Sequence, residues 1–186
     1  MNRLTKMVSV LAATGFALGV SGLASANLVT NGSFETGDFT GWTQIGNTSF
    51  SGVDGNPGPG DGNFAAFFGP VGSTGGITQN LTTVAGVRYL IEFDFDPDGG
   101  VPSSFSATFG GTTLISVNNP PNTPYQVLGF NATATGTTTA LTFNFRDDPG
   151  FLYLDSVAVA QAPEPGTMAL LGIGMAGLWW KRRKAQ

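Results

Sequence analysis

Apolar and polar residues alternate with period two through most of the middle of this chain. Tyr89, Ile91, Phe93 and Phe95 share one face of a strand, while Arg88, Leu90, Glu92 and Asp94 share the other. The pattern recurs in Phe105, Ala107 and Phe109, and in Thr113, Ile115 and Val117. Leu141, Phe143 and Phe145 follow, and then Tyr153, Asp155, Val157 and Val159. Shorter strands are expected at 40–45, 63–68, 77–81 and 126–130. Gly, Pro, Asn and Asp clusters at 53–62, 97–100, 110–111, 118–124 and 147–150 mark the turns between them. The last cluster is expected to be the hairpin between the last two long strands. The Thr-rich stretch 134–140 reads as a loop or a weak edge strand. Eight or nine short strands with no helix between them predict an all-β, antiparallel β-sandwich whose alternating phenylalanines fill the space between two sheets.

The two ends break this pattern. Arg3 and Lys6 precede an apolar stretch at 7–20, and Ala24-Ser25-Ala26 offers a small-x-small cleavage site. Residues 1–26 are therefore expected to be a signal helix, with the mature chain starting at Asn27. At the other end Pro163-Glu164-Pro165 leads into an apolar run, 167–180, closed by Lys181-Arg182-Arg183-Lys184. As a helix the run is about 21 Å long, shorter than the roughly 20 residues of a comfortable span. Trp179 and Trp180 suit an interface, and the basic cluster suits the cytoplasmic side, which places everything upstream outside. The expected division is 1–26 signal peptide, 27–161 β-domain and 162–186 C-terminal signal.

Setting the ends aside changes the charge. The whole chain carries a formal net charge of −4, but six of its eight basic residues lie in the end segments. The middle keeps Arg88 and Arg146 against eleven carboxylates, a net of −9. Such a surface excludes nucleic acid as a partner, because nothing neutralises phosphates, and it suits divalent cations. The chain has no cysteine and no histidine. That removes disulfides, thiolate metal sites and Ser-His-Asp catalysis.

The Pro-Glu-Pro triplet, a short glycine-containing apolar helix and a terminal basic cluster, behind a signal peptide, resemble the PEP-CTERM sorting signal over 162–184. The resemblance implies a secreted or cell-surface protein of a Gram-negative bacterium that makes exopolysaccharide. It also implies a membrane-embedded exosortase that recognises and removes the tail, so that inner-membrane anchoring through 167–180 is transient.

A second resemblance spans most of 27–160. Asn27-Leu28-Val29-Thr30-Asn31-Gly32-Ser33-Phe34-Glu35 and Gly41-Trp42 open the domain, and Phe151-Leu152-Tyr153-Leu154-Asp155-Ser156-Val157-Ala158-Val159 closes it. With Gln79 and Gly86-Val87-Arg88-Tyr89 between them, these segments resemble jelly-roll domains of the galactose-binding-like superfamily, which include many carbohydrate-binding modules. The resemblance implies that the opening and closing segments meet and hold a structural calcium ion through Glu35 and Asp155, with backbone carbonyls and Asp61 completing the shell. The alternative is that Glu35 caps a turn and Asp155 accepts backbone N–H groups.

Other residues offer further chemistry. Asp94-x-Asp96-x-Asp98-Gly99 matches the first half of a calcium loop. Position twelve is Phe105 rather than Glu, and Pro97 intrudes, so this is a second, weaker calcium candidate or a solvated acidic turn. Sugar binding needs an aromatic platform with fixed polar groups. Trp42, the middle region's sole tryptophan, and Tyr125, just after the Pro-rich loop, are the candidates, with Trp42 also fitting a core position. Glu35 and Glu92 are the only glutamates of that region, and nothing in their spacing pairs them across a cleft as a glycosidase requires. The expectation is a non-enzymatic exported protein, processed by an exosortase and associated with an extracellular polysaccharide matrix, biofilm or floc. The alternative is a carbohydrate-binding module with a defined saccharide site, and a secreted hydrolase comes third.

Overall fold

A computed structural model describes residues 26–55 and 60–162. Both end segments, including Pro163, Glu164 and Pro165 and the expected signal and membrane helices, lie outside the described residues. The described residues form ten strands: β1 (Thr43–Gly46), β2 (Ser51–Asp54), β3 (Ala65–Phe68), β4 (Gly75–Thr82), β5 (Arg88–Pro97), β6 (Ser103–Phe109), β7 (Thr112–Asn118), β8 (Gln126–Thr133), β9 (Thr138–Asp147) and β10 (Leu152–Gln161). They make two five-stranded sheets, ordered β1-β4-β9-β6-β7 and β2-β3-β10-β5-β8, and every pairing is antiparallel. The fold is the expected jelly-roll sandwich.

The alternation explains the core. The inward rows of β5 (Tyr89, Ile91, Phe93), β6 (Phe105, Ala107, Phe109) and β9 (Leu141, Phe143, Phe145) are all buried. Rings from opposite sheets interleave: Phe68 stacks on Phe145 at 3.9 Å and Phe95 on Phe105 at 4.1 Å, while Phe93 meets Phe143 edge-on at 5.1 Å. Such aromatic contacts add to the area term of burial. The opening and closing segments meet as expected. Leu28 N–H donates to the Val159 carbonyl and Val157 N–H to the Gly32 carbonyl, at 2.8 and 2.9 Å. The Asn27 side-chain oxygen accepts from Val29 and Val159 N–H, and Gln79 exchanges two hydrogen bonds with the Thr30 backbone.

Four expectations need correction. β2 lies where the first part of a loop was expected; as an edge strand it pairs only with β3. β9 begins at Thr138, inside the Thr-rich stretch, and occupies the middle of its sheet. The turn 147–150 is not a hairpin, because β9 and β10 belong to different sheets and the turn arches between them. A hairpin and an arch call for the same turn residues, so composition alone does not separate them. Finally, β10 does not keep one alternation. Asp155 pairs with Asp94, but Ala158 pairs with Glu92, so β10 advances one residue further than β5. This bulge, with Ser156 at φ 52°, turns Tyr153 and Asp155 outward and Val157 and Val159 inward.

Candidate functional site

The face of the β2-β3-β10-β5-β8 sheet that points away from the core carries a group of acidic and aromatic side chains. On β5 the outward residues are Glu92, Asp94 and Asp96, and on β10 they are Tyr153 and Asp155. Phe67 supplies the ring from β3, in register with Tyr153. Phe151, at the foot of β10, sits edge-on to Phe67 at 5.5 Å and lies 6.4 Å from Tyr153. Tyr125 precedes β8, and Val127, opposite Asp94, is 73% exposed. The result is a half-buried aromatic row bordered by carboxylates.

Tyr125 is the most unusual member. Its hydroxyl is buried and has no hydrogen-bond partner. Burial first, and then the negative charges of Asp155 and Asp96, with Tyr153 and Asp94 also contributing, push its pKa well above the usual phenol value. The hydroxyl therefore stays protonated and available as a donor. Tyr153 is raised in the same direction by burial, followed by Asp54, Asp96 and Asp98. Asp96 is raised by burial and by the charge of Asp98.

Of the expected calcium ligands, Asp155 and Glu35 accept backbone amides, and Asp61 supplies one of them. Asp155 is fully buried, and its Oδ2 accepts the Gly60 and Asp61 amides at 2.8 and 3.0 Å, while Oδ1 accepts Ser156 N–H at 2.7 Å. Glu35 Oε1 accepts the Asn63 and Phe64 amides at 2.7 and 2.9 Å, and Oε2 accepts the Asn63 side chain. Asp61 offers its amide, while its carboxylate raises the pKa of Asp155 by repulsion. Among the described residues no group of three acidic side chains could hold a metal ion. These hydrogen bonds are the ones the alternative expects, with Glu35 as a turn cap and Asp155 as a buried acceptor.

The other sequence candidates separate as well. Trp42 is not a platform: it is buried, stacks on Phe34 at 5.9 Å, and donates its indole N–H to the Asn31 carbonyl at 3.1 Å. Tyr89 is a buried corner residue whose hydroxyl accepts Val84 N–H. The trio Asp94, Asp96 and Asp98 splits. The first two lie on the open face, while Asp98, past the end of β5, accepts the Gly100 and Phe151 amides. Glu35 caps its loop, whereas Glu92 stands on β5 opposite Gly129. Phe67 and Phe151 escaped the sequence reading. Phe67 was legible, since in Phe67-Phe68 one ring must face outward.

Comparison with known proteins fits this geometry. Residues 161–184 match the PEP-CTERM protein-sorting motif. No curated protein sequence matches the chain. Among solved structures it resembles TmCBM61, determined in complex with β-1,4-galactotriose, with TM-score 0.61 and 21% identity over 74% of this chain and 100% of that one. A xylan-binding domain from carbohydrate-binding module family 22 gives TM-score 0.52 and 18% identity over 74% of this chain and 96% of that one. The CBM22-1–GH10 modules of Clostridium thermocellum xylanase 10B, complexed with xylohexaose, give TM-score 0.57 and 15% identity over 73% of this chain and 29% of that one. The sorting motif marks a secreted or cell-surface protein processed at its C terminus. The chain thus carries a PEP-CTERM sorting motif and, ahead of it, a jelly-roll domain with the fold of carbohydrate-binding modules.

Proposed function

We propose that this is an exported protein whose domain binds a neutral polysaccharide along the open face of the β2-β3-β10-β5-β8 sheet. The buried Tyr125 hydroxyl, a donor without an acceptor, carries the proposal. It lies on a face where Phe67, Phe151 and Tyr153 offer rings for the C–H faces of a sugar and Asp94, Asp96 and Glu92 offer acceptors for hydroxyls. The carboxylates and the net charge of the domain disfavour acidic glycans, so the ligand class is neutral. Similarity to structures solved with galactotriose and xylohexaose supports a saccharide ligand in kind. The sorting tail supports a Gram-negative producer, an exosortase partner, transient inner-membrane anchoring and a final place in the extracellular polysaccharide matrix of a biofilm or floc. Binding rather than hydrolysis is favoured because Glu35, one of the two candidate glutamates, is committed to the amides of Asn63 and Phe64.

Affinity electrophoresis of the full chain through gels containing neutral polysaccharides tests the reading. Selective retardation is expected, weakened at least tenfold in Tyr153→Ala and measurably in Tyr125→Phe, which keeps the ring. Absence of retardation by every neutral polysaccharide, or retardation unchanged in both variants, would overturn it.

A further inference from the structure

The inward row of β9 runs Leu141, Phe143 and Phe145 and ends on Asp147. All four are fully buried, yet both carboxylate oxygens of Asp147 lack a hydrogen-bond partner. A buried carboxylate in that state is strongly unfavourable. Asp155, the other fully buried carboxylate among the described residues, has three amide donors. The neighbouring cation does not help Asp147. Arg146 points to the other side of the strand, where its Nε and Nη2 bind Asp148 at 2.8 Å each.

What Asp147 meets instead is a second carboxylate. Asp98 is held in place by the Gly100 and Phe151 amides, at 2.7 and 3.0 Å. A Cβ added to Gly100 would sit 2.5 Å from Asp147 Oδ1 and 3.0 Å from Asp98 Oδ1, so the two acidic oxygens converge on the side of Gly100 that carries no side chain. Gly150 faces Asp98 just as closely, and a side chain there would overlap its carboxylate. Two turns, 98–100 and 147–150, are thus pressed together around two negative charges. Burial first, and then the carboxyl of Asp98, raise the pKa of Asp147 to about 7; the Gly150 amide, nearby but outside hydrogen-bond geometry, opposes this only partly. A proton is therefore the competing occupant.

We propose that Asp98 and Asp147 together hold a divalent cation, with calcium the best fit. The donors are hard oxygens without a nitrogen or sulfur ligand, and only two side chains contribute. Calcium tolerates such a set when backbone carbonyls and waters fill the remaining positions. Asp98 is exposed and Asp147 lies beneath it, so the ion enters from solvent. Once bound, it ties the end of β5 to the arch that carries the chain from β9 to β10, next to Phe151. This site is distinct from Glu35 and Asp155, and it does not depend on the carbohydrate reading.

The test is calorimetric titration of the chelator-treated full chain with calcium, and separately with magnesium, up to about 10 mM, since extracellular calcium modules bind at roughly 0.1–1 mM. One calcium per chain is expected, with a rise in melting temperature. Asp147→Asn should lose both, and it should fold because it removes a charge that burial disfavours while keeping the shape of the side chain. Glu35→Gln should retain calcium binding, whatever its own stability. Binding that survives in Asp147→Asn, or that disappears only in Glu35→Gln, would overturn the proposal. So would a wild-type chain that binds no calcium while Asp147→Asn gains stability at pH 8, the signature of a shared proton.

Discussion

Asp155 and Glu35 hold the two ends of the segment 60–64 that leads into β3. Asp155 Oδ2 gathers the amides of Gly60 and Asp61, and Glu35 Oε1 gathers those of Asn63 and Phe64. The two carboxylates come from the closing and the opening segments of the domain. Segment 60–64 is therefore clamped by the same segments that seal the sandwich through Leu28–Val159 and Val157–Gly32. Hydrogen bonds to ionised acceptors are stronger than neutral ones, and here carboxylates supply the acceptors in place of a neighbouring strand.

Asp155→Asn is expected to lower stability by about 1–3 kcal/mol, because one amide oxygen replaces two carboxylate oxygens facing three donors. The pH dependence has a definite sign. Burial, only partly opposed by the Asp61, Ser156 and Gly60 amides, raises the Asp155 pKa from 3.8 to about 6. The favourable contribution of protonated Asp155 is complete below its unfolded value of 3.8 and is lost as pH rises through about 6. Urea denaturation from pH 4 to pH 8 should show this decline in the wild type and a flatter profile in the variant. An equally steep decline in the variant would assign the titration to another group.

Trp42 and Tyr153 should separate stability from binding. Trp42→Phe removes the indole bond to the Asn31 carbonyl within the Phe34–Trp42 stack, so a loss of about 1 kcal/mol is expected, with saccharide retention unchanged. Tyr153→Ala removes a half-buried ring from the open face and should abolish retention while changing the melting temperature little. Paired denaturation and affinity electrophoresis would show it, and the reverse assignment of effects would place the ligand elsewhere.

Ser156 stands at φ 52° in the bulge of β10. For a residue with a Cβ this conformation costs about 1–2 kcal/mol, part of which glycine gives back in backbone entropy. Ser156→Gly should therefore be neutral or stabilising by up to about 1 kcal/mol. Ser156→Val, with a β-branched side chain in the same region, should destabilise and weaken saccharide retention by disturbing the outward set of Tyr153. Equal stabilities of the Gly and Val variants would mean that the bulge is not maintained in solution.

Much of this protein was legible in the chain. Period-two alternation located nine strands and the faces of β5, β6 and β9, because burial on one side of a sheet requires it. Asn27, Gln79 and the opening and closing segments announced their meeting through their likeness to known jelly rolls. The C-terminal segment announced the sorting motif through its order of Pro-Glu-Pro, apolar run and basic cluster. The β10 alternation misled from Tyr153 onward, because one extra residue reverses every side chain beyond it and composition does not mark where it is inserted. Trp42 looked like a ring for a ligand because a tryptophan after a turn suits both a core and a platform; its neighbours Phe34 and Phe143 decide for the core. The sequence by itself determined the class of fold, the acidic character of the domain and its destination, since local periodicity and charge depend only on neighbours along the chain. Only the tertiary structure decided that Tyr125, Tyr153 and Phe67 share a surface and that Asp98 leaves its apparent calcium loop for Asp147. Those partners lie on or beside different strands, Asp98 just past β5 and Asp147 at the end of β9 in the other sheet, and no spacing along the chain records a distance across the fold.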